Sequence, residues 1–419
     1  MRTAKASEAL FDPTIYSYTS CLAIRWIRMD MDKFMYFLHR QSIFPERGKD
    51  IISETKPSLL ERIGAFGESR LDGWMNRLIL GDNLHALRLL LQDPAISGRV
   101  RLIYIDPPYS TNQEFRIGTE RTATVSSSHE DRVAYRDTLL GASYLEFLHD
   151  RLILLREILA DDGSIYVHVD VKIGHYVKVL MDKIFGEENF INQIVRIKCN
   201  PKNFSRPGYG NIHDMILFYS KSKSYVWNEA REEFSEDEVK RLFPKVDKSG
   251  RSYTTTPLHA PGETRNGLTG LPWRGIKPPK GRHWRYPPEE LDRLDREGLI
   301  EWSPRGNPRK IIYADEIVQK GKKRQDVWEF KDPPYPIYPT EKNLEMLKVI
   351  IQASSNPDDI VLDCFAGSGT TLVAAEALGR RWIGIDNSEV AIEVIQKRLS
   401  SMRKISAFGL YKLKETSNE

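Results

Sequence analysis

The string Asp-Pro-Pro-Tyr occurs twice in this sequence, at Asp106–Tyr109 and again at Asp332–Tyr335. A carboxylate accepts hydrogen bonds and a tyrosine ring offers a flat face, so the string could hold a planar group that carries hydrogen-bond donors. The two prolines fix the backbone between these side chains. The residues around each copy indicate which one lies where a ligand would bind.

The two copies follow different kinds of sequence. Val100–Ile105 is an apolar, β-branched run of strand length, which predicts a buried parallel strand that ends just before the first copy. Ligands of open α/β sheets bind at the carboxyl ends of such strands. The second copy lies among four prolines, which are typical of an extended linker. The residues predicted to do the chemistry are Asp106, Pro107, Pro108 and Tyr109.

A glycine-rich turn, DCFAGSGTT, follows the apolar residues Ile360 to Leu362 and precedes an alanine-rich helix. Its glycines would let a ligand approach the backbone at a helix N-terminus, where free N–H groups face the ligand. Asp386 ends the next predicted strand, where a carboxylate could accept both ribose hydroxyls of a nucleoside. Alternatively, Asp386 caps the helix that begins near Glu389. No Lys-Ser or Lys-Thr follows the glycines, so a triphosphate loop is not expected.

Strand-like and helix-like segments alternate around both motifs. Asn76–Leu91 is predicted as strand, tight turn and helix, Tyr144–Leu159 as a helix, and Asp358–Leu399 as strand, turn, helix, strand and helix. This alternation indicates an α/β fold with a parallel sheet covered on both faces.

Composition sets broad limits on the protein. The chain has 419 residues, of which 29% are charged, and a net charge of +4, so more than one domain is expected. Three cysteines without a CxxC pair predict neither a disulfide framework nor a metal site. No apolar run approaches the roughly 18 residues that span a bilayer, so we expect a cytoplasmic protein that does not bind membranes.

Taken together, Asp106-Pro-Pro-Tyr109 and Phe365-Ala-Gly-Ser-Gly-Thr370 resemble the signature pair of S-adenosylmethionine-dependent DNA amino-methyltransferases. DPPY before FxGSGT is the order of the β group of that family. Further segments, LILGDNL, DDGSIYVHVD and YPTEKNLEMLKVII, extend the resemblance over roughly residues 70 to 400, and it is strongest to type III and related adenine methylases. Tyr338 stands where the family usually has His, Asn343 where it has Pro, and Ser110 where many members have Asn.

The resemblance implies a Rossmann-like methyltransferase core with a circularly permuted motif order and an inserted target-recognition domain. The expected domains are an N-terminal extension (1–55), the catalytic half of the core (56–224), the target-recognition domain (225–330), the cofactor-binding half (331–405) and a C-terminal tail (406–419). The second DPPY falls in the linker before the YPT element and has no family role.

The resemblance also implies S-adenosylmethionine as the cofactor. Asp82 is expected near the cofactor's adenine amino group, and Thr340 and Lys342 near its methionine carboxylate. The last two could instead be a helix cap and a solvated lysine, and Asp363 could only cap its loop. The predicted cofactor-binding residues are Asp82, Asp106, Thr340, Lys342, Asp363, Phe365, Ala366, Gly367, Ser368, Gly369 and Asp386.

The exocyclic nitrogen of adenine is a poor nucleophile because its lone pair is delocalised into the ring. The Asp106 carboxylate and the Pro107 carbonyl could hold its two hydrogens, and Tyr109 could stack on the base, which is worth about 1–3 kcal/mol. The base must first leave the duplex. We therefore predict site-specific methylation of adenine N6 in double-stranded DNA. Alternatives are cytosine N4, an RNA substrate, or the modification or recognition subunit of a restriction complex. A homodimer and a restriction-subunit partner are also considered.

Residues 225–330 interrupt the strand–helix alternation. Between Lys248 and Arg285 there are eight basic residues and one acid, and five of the eight tryptophans lie from Trp227 to Trp328. Basic and aromatic residues on loops suit contact with DNA, although a solvated basic loop would have the same composition. The predicted DNA contacts are Arg265, Trp273, Arg274, Lys277, Lys280, Arg282, Trp284 and Arg285. The long polar segment 110–131 is predicted to be a mobile flap over the target base or the DNA.

Overall fold

The computed structural model describes residues 51–52, 58–109, 113–117, 132–137, 139, 141–201 and 207–415. These residues form two compact units. One comprises the described parts of Met1–Asn228 and Asp326–Glu419, and the other is Glu229–Gln325. The predicted N-terminal extension lies outside the described residues except for Ile51 and Ile52, and so does most of the predicted flap, including Ser110.

The first unit is built on one large sheet and a separate hairpin. The strands, numbered along the whole chain, are β1 (Ser58–Phe66), β2 (Asn76–Leu80), β3 (Val100–Ile105), β4 (Gln113–Ile117), β5 (Arg132–Asp137), β6 (Leu159–Val169), β7 (Phe190–Ile197), β8 (His213–Ser220), β17 (Val327–Glu329), β18 (Ile360–Asp363), β19 (Arg381–Asp386) and β20 (Phe408–Glu415). The sheet order is β1-β20-β2-β19-β18-β3-β6-β8-β7-β17, while β4 and β5 pair with each other. The strands from β20 to β6 in this order are parallel, and β8 pairs antiparallel with β6 and β7.

Helices cover both faces of this sheet. On one face the core includes residues of α1 (Asn83–Gln92), α2 (Gly141–Ile158) and α3 (Val171–Phe185), and the short 3-10 helix Glu187–Asn189 follows α3. On the other face it includes residues of α7 (Leu344–Ser354), α8 (Thr370–Ala377) and α9 (Glu389–Ser400). Successive side chains of β3 alternate between these cores, with Leu102 in one and Ile103 in the other. Burial on both faces explains why the central strands are continuously apolar.

The order of the central strands brings the two motifs together. β18, which leads into the glycine turn, lies between β19 and β3, and β3 leads into Asp106. Both pairings are parallel, so the carboxyl ends of these strands meet at one edge of the sheet. This arrangement confirms the predicted Rossmann-like α/β core with a permuted motif order.

The end of the chain differs from the expected tail. β20 inserts between β1 and β2, and its first residue, Phe408, is 1% exposed. The sequence FGLYKLKE alternates apolar and polar residues only weakly, and long-range pairing with two strands decides its conformation. Residues 406–415 are therefore part of the core, and 416–419 lie outside the described residues.

The second unit, Glu229–Gln325, lies within the 225–330 segment that the sequence sets apart. Its strands are β9 (Arg231–Glu232), β10 (Lys245–Val246), β11 (Ser252–Pro257), β12 (His259–Pro261), β13 (Arg282–Trp284), β14 (Ile300–Trp302), β15 (Pro308–Tyr313) and β16 (Lys322–Lys323). Its helices are α4 (Glu236–Leu242), α5 (Pro288–Arg296) and α6 (Ala314–Val318), with a 3-10 turn at Leu268–Gly270. β10, β11, β15 and β14 form an antiparallel sheet, and a separate core holds Trp273, Trp284 and Leu291.

Candidate active site

A cavity of about 830 Å³ lies where the carboxyl ends of β3 and β18 meet. Its size is within the range of about 300–1,000 Å³ that is usual for small-molecule sites. The predicted residues that line it are Asp82, Asp106, Pro107, Pro108, Tyr109, Thr340, Lys342, Asp363, Phe365, Ala366, Gly367, Ser368 and Asp386. Gly369 is not one of the lining residues. The structure thus brings together the first DPPY, the glycine turn and the YPT element.

Asp106 is held by two donors at the cavity wall. One carboxylate oxygen accepts a hydrogen bond from the Tyr109 hydroxyl at 2.5 Å, and the other contacts Lys342 Nζ at 2.5 Å. The side chains of Lys342 and Asp106 are 9% and 17% exposed. Burial and the Asp106 charge hold the pKa of Tyr109 well above its ordinary value, so the hydroxyl keeps the proton that it donates. Asp106 is therefore oriented as an acceptor before any ligand is bound.

Lys342 is neither solvated nor distant from the catalytic motif. Besides Asp106, its Nζ donates to the Thr340 carbonyl at 3.1 Å and lies 5.2 Å from the centre of the Tyr109 ring. The predicted contact with the cofactor's methionine carboxylate is not tested by this geometry. The alternative of a solvated lysine is wrong, because the residue is 8% exposed.

The two glycines of the turn have different surroundings. Gly367 has a φ of +49°, and its N–H donates to Asp386 at 2.8 Å. In the part of the chain that the structure describes, the nearest neighbour of a methyl group at Gly367 would be Tyr338, at 3.7 Å. Gly369 also has a positive φ, of +74°, but its methyl group would lie 2.7 Å from Ile395 Cγ1. Gly369 therefore allows α8 to approach α9. Its expected contact with the cofactor is corrected to a packing role.

Asp386 binds two backbone N–H groups, of Gly367 at 2.8 Å and of Ser388 at 2.9 Å. The cap of α9 is Ser388, whose hydroxyl accepts from Ala391 N. The alternative of Asp386 as the helix cap is therefore wrong. Each oxygen of Asp386 accepts one of these bonds, and a carboxylate oxygen can accept a second. Burial raises the pKa of Asp386 above its ordinary value.

Two more acids shape the cavity wall. Asp363 accepts a hydrogen bond from Phe365 N at 3.0 Å, and burial raises its pKa to about 7. Asp82 caps α1 by accepting from Leu84 N at 2.9 Å, and its other oxygen lies 3.2 Å from Arg151. Both carboxylates thus order the loops on which they lie.

Thr340 is not the cap of the helix that follows it. Its φ is +58°, and its hydroxyl lies 3.2 Å from that of Tyr135. Asn343 caps α7 by accepting from Met346 N at 3.1 Å. The helix-cap alternative for Thr340 is therefore wrong.

The sequence analysis missed several residues that line the cavity or join the segments around it. Phe115 and Tyr135 come from the hairpin β4–β5, Phe115 within the predicted flap and Tyr135 four residues after it. Tyr144 lines the cavity with its hydroxyl buried and without a hydrogen-bond partner among the described residues. Arg398 donates to the Ser368 carbonyl at 3.0 Å and pairs with Glu341 at 2.9 Å, so it joins the glycine turn to the YPT element. Aromatic residues in and next to the predicted flap could have identified Phe115 and Tyr135. No local sequence pattern distinguishes Arg398 from other arginines.

Two of the predicted DNA contacts are core residues of the second unit. Trp273 and Trp284 are 2% and 1% exposed. The Trp273 indole donates to Asp292 at 2.8 Å and that of Trp284 to the Leu271 carbonyl at 3.1 Å. Rings buried in this way cannot stack on bases, so these two predictions are wrong. The small apolar core of this unit requires large side chains, which composition cannot tell from exposed ones.

The basic residues among the predicted DNA contacts are exposed. Arg274 pairs with Asp295 at 2.5 Å, Arg282 contacts His259 at 3.1 Å, and Arg285 donates to the Pro257 carbonyl at 3.2 Å. The remaining exposed basic residues of the predicted set are Arg265, Lys277 and Lys280.

In the part of the chain that the structure describes, no helix is long and apolar enough to cross a membrane, and no three His, Cys, Asp or Glu side chains form a metal site.

Comparison with known proteins agrees with this geometry. A family model described as DNA methylase matches residues 100–397, and the chain belongs to this family. The type II methyltransferase M.EcaI of Enterobacter cloacae is 43% identical over 359 residues, which are 84% of this chain and 75% of that protein. The StyLTI Mod subunit, from a type III restriction-modification enzyme of Salmonella typhimurium, is 29% identical over 355 residues, and the match covers 72% of this chain and 50% of the subunit.

Among solved structures, the M1.HpyAVI–SAM complex covers 78% of this chain and all of that chain, at 18% identity and a TM-score of 0.39. The family membership and the site make this protein a DNA methyltransferase that uses S-adenosylmethionine.

The cavity fits that cofactor. The open space at Gly367 admits a ligand against the backbone, and the Asp386 carboxylate lies beside it. The Tyr144 hydroxyl, which has no hydrogen-bond partner within the described ranges, offers a further polar contact. Phe365, which packs at 6.0 Å from Phe147 between ring centres, supplies an aromatic wall.

Proposed function

We propose that this enzyme methylates the N6 amino group of adenine after the base has left the DNA duplex and entered the cavity beside Asp106. The observation that carries the proposal is the partly buried Asp106 carboxylate, oriented by Tyr109 and Lys342 next to the glycine turn. A carboxylate in this position accepts a hydrogen bond from an amino group, and a cavity below the protein surface requires an extruded base.

Different groups of the first DPPY would bind the two hydrogens of the target amino group and the ring of the base. The Asp106 oxygen that now contacts Lys342 Nζ would accept one amino hydrogen, and the Pro107 carbonyl would accept the other. Holding both hydrogens fixes the direction of the nitrogen lone pair, which is the alignment that the reaction needs. After transfer the nitrogen loses a proton, and Asp106 is the group placed to accept it. The Tyr109 ring would stack against the base.

S-Adenosylmethionine, when bound, supplies the electrophilic methyl group. Asp386 would accept from the ribose hydroxyls, and Gly367 would let the cofactor lie against the backbone. Asp82 and Asp363 would complete the polar wall. Lys342 already contacts Asp106, so we place it with the catalytic residues.

Cytosine N4 is the second candidate, because it presents the same kind of amino group. The aspartate at position 106 favours adenine, since the resembling family uses Asp with adenine and Ser with cytosine at this position. The test is incubation of the purified protein with labelled S-adenosylmethionine and mixed-sequence duplex DNA, followed by mass spectrometry of the nucleosides. N6-methyladenine is expected, and N4-methylcytosine or labelling of RNA alone would overturn the proposal.

Site-specific recognition is proposed for the second unit. Its exposed Arg265, Lys277, Lys280, Arg282 and Arg285 suit contact with phosphates and base edges. A protein that neutralises phosphates loses affinity as salt rises, because bound counterions are released. Electrophoretic mobility shifts at increasing salt, with alanine at each position, measure these contacts.

The partners of the protein remain proposals. The chain spans about half the length of the type III Mod subunits that it matches, whose names assign them to restriction-modification enzymes. We propose that the protein acts in the cytoplasm and protects DNA against a restriction nuclease. Copurification with an endonuclease subunit would identify it as a modification subunit, and light scattering of the purified protein tests the predicted homodimer.

A further inference from the structure

The second DPPY is attached to the core of the first unit. Asp332 accepts a hydrogen bond from Arg196 Nη2 at 2.5 Å, and its own backbone N–H donates to the Lys198 carbonyl at 2.8 Å. Tyr335, the last residue of the same string, is 90% exposed. The aspartate of this copy is thus bound by the core, and its tyrosine extends into solvent. A base-binding motif needs the opposite, an aspartate available to the base and a tyrosine held in the site.

Arg196 is the centre of this attachment. It comes from β7, is fully buried, and also donates from Nε to the Phe330 carbonyl at 2.7 Å. Its Nη1 lies 3.5 Å from Asp214 on β8. One guanidinium therefore donates hydrogen bonds to the segment after β17 at two points, and the buried Asp214 carboxylate lies beside it as the opposite charge.

The same chain of polar groups continues to the first DPPY. Asp214 lies 3.2 Å from His168 Nε2, and His168 Nδ1 lies 2.8 Å from the Tyr104 hydroxyl. Tyr104 is in β3, two residues before Asp106. His168, Asp214 and Arg196 are each at most 2% exposed. A chain of polar side chains thus runs from Asp332, which is 48% exposed, through buried Arg196, Asp214 and His168 to Tyr104 on β3, two residues before the first DPPY.

The two ends of the segment around and after Asp332 are joined by a hydrogen bond. Asn343 donates from Nδ2 to the Lys331 carbonyl at 2.9 Å and also caps α7. Residues 331–343 therefore form a loop, here called the anchor loop, whose two ends are hydrogen-bonded to each other. Lys342 lies at one of these ends, one residue before Asn343, and reaches from it to Asp106.

We propose that Asp332 is a positioning residue for the methyltransferase reaction: through Arg196 it fixes the anchor loop so that Lys342 contacts Asp106. This inference rests on the proposed roles of Asp106 and Lys342. The effect reaches the site through the loop and not through the DPPY motif as such, because Tyr335 points into solvent.

The first test does not depend on DNA or on activity. The full-length protein is treated briefly with an acetylating reagent, and the modified lysines are counted by peptide mass spectrometry. In the wild type, buried Lys342 is expected to react slowly. In Asp332→Ala the loop loses its anchor, and labelling of Lys342 is expected to rise on the order of tenfold, while labelling of Lys348 on α7 stays constant. Asp332→Asn, which keeps an acceptor at this position, is expected to give a smaller rise.

The control variant is Glu329→Ala. Glu329 pairs with Lys331 at 3.0 Å, close to Asp332 in the chain, but neither side chain is buried, at 64% and 46% exposed, whereas the partner of Asp332, Arg196, is fully buried. Removing such a pair has little effect on structure. Glu329→Ala is therefore expected to leave the labelling of Lys342 and the methylation rate unchanged.

The second test measures single-turnover methylation in a double-mutant cycle. Misplacing a group by about 1 Å can cost on the order of 100-fold in rate, so Asp332→Ala is expected to slow transfer at least tenfold with little change in S-adenosylmethionine affinity. In a Lys342→Met background, the same change is expected to have almost no further effect. Equal labelling of Lys342 in wild type, Asp332→Ala and Asp332→Asn, or rate losses that multiply independently, would overturn the inference. Absence of methylation by the wild type would instead count against the proposed function.

Discussion

Three glycines with the same backbone conformation allow packing and cofactor binding to be separated. Gly367, Gly369 and Gly379 have φ values of +49°, +74° and +70°. A side chain in this left-handed region costs about 1–2 kcal/mol. Around Gly379, no atom of the other described residues beyond its chain neighbours lies within 4 Å of an added methyl group, so Gly379→Ala measures the backbone cost alone.

Gly369→Ala adds a steric cost to the backbone cost. Its methyl group would lie 2.7 Å from Ile395 Cγ1 and 3.2 Å from Ile395 Cγ2, between α8 and α9. Overpacking of this kind costs about 1–3 kcal/mol. We expect Gly369→Ala to lower the free energy of unfolding by about 2–5 kcal/mol, against about 1–2 kcal/mol for Gly379→Ala.

Gly367→Ala is expected to act on binding. Its methyl group would project into the cavity, with its nearest neighbour, Tyr338, at 3.7 Å. The loss of stability should therefore equal that of Gly379→Ala, while the affinity for S-adenosylmethionine falls at least tenfold.

Urea unfolding and isothermal titration calorimetry on the three variants measure both quantities. If Gly369→Ala were no less stable than Gly379→Ala, the packing role assigned to Gly369 would be wrong. If Gly367→Ala bound the cofactor as tightly as Gly379→Ala, the glycine turn would not be the backbone surface that faces the cofactor.

Three further predictions follow from burial and exposure. Burial raises the pKa of Asp363 to about 7 from its ordinary value of 3.8, so its contribution to stability is present below the lower value and is lost as the pH rises through 7. Urea midpoints of the wild type should therefore fall between pH 5 and pH 8 relative to those of Asp363→Asn, and parallel profiles would contradict the assignment. Trp284→Ala should destabilise the second unit by about 3–5 kcal/mol, measured by urea unfolding of the full chain, because it empties a buried site; a change below 1 kcal/mol would show that the ring is not a core residue. Alanine at Lys277 or Lys280 should weaken DNA binding similarly for all sequences and reduce the slope of log affinity against log salt by about 1, with thermal stability unchanged; an unchanged slope would remove that lysine from the interface.

The core of the site could be predicted from the sequence because its parts are local. A β-branched run followed by Asp106, and another followed by a glycine turn, each specify a strand end within a few residues. Parallel pairing of the two strands then brings the ends together, and the α/β alternation was enough to predict it. Asp386 was found for the same reason, as the last residue of β19.

Contacts across the chain could not be predicted in this way. The Lys342–Asp106 contact joins residues more than 200 positions apart. Arg398 contacts Ser368 in the glycine turn and Glu341 in the YPT element only after α9 has packed onto the core. The bond between Arg196 and Asp332 depends on β17 pairing with β7. The local sequence therefore predicted only a proline-rich linker at the second DPPY. In the structure, the aspartate of this copy is hydrogen-bonded to the sheet.

The burial of individual side chains could not be predicted from composition either. Trp273 and Trp284 lie among basic residues, which suggested a DNA-binding surface, yet both fill the core of the second unit. A small unit has few apolar residues, so it buries its largest ones. The exposed lysines and arginines of the predicted set therefore remain the predicted DNA contacts.

The measurement that tests the central claim most directly compares wild type with Asp106→Ala in the same preparation. Transfer of labelled methyl groups to duplex DNA is measured in a single turnover, and S-adenosylmethionine affinity is measured by calorimetry. We expect N6-methyladenine from the wild type, a loss of transfer of at least 100-fold in Asp106→Ala, consistent with removal of a key electrostatic contact, and a change in cofactor affinity of less than tenfold. Transfer by Asp106→Ala at a rate close to that of the wild type would contradict the assignment of Asp106 as the acceptor for the target amino group.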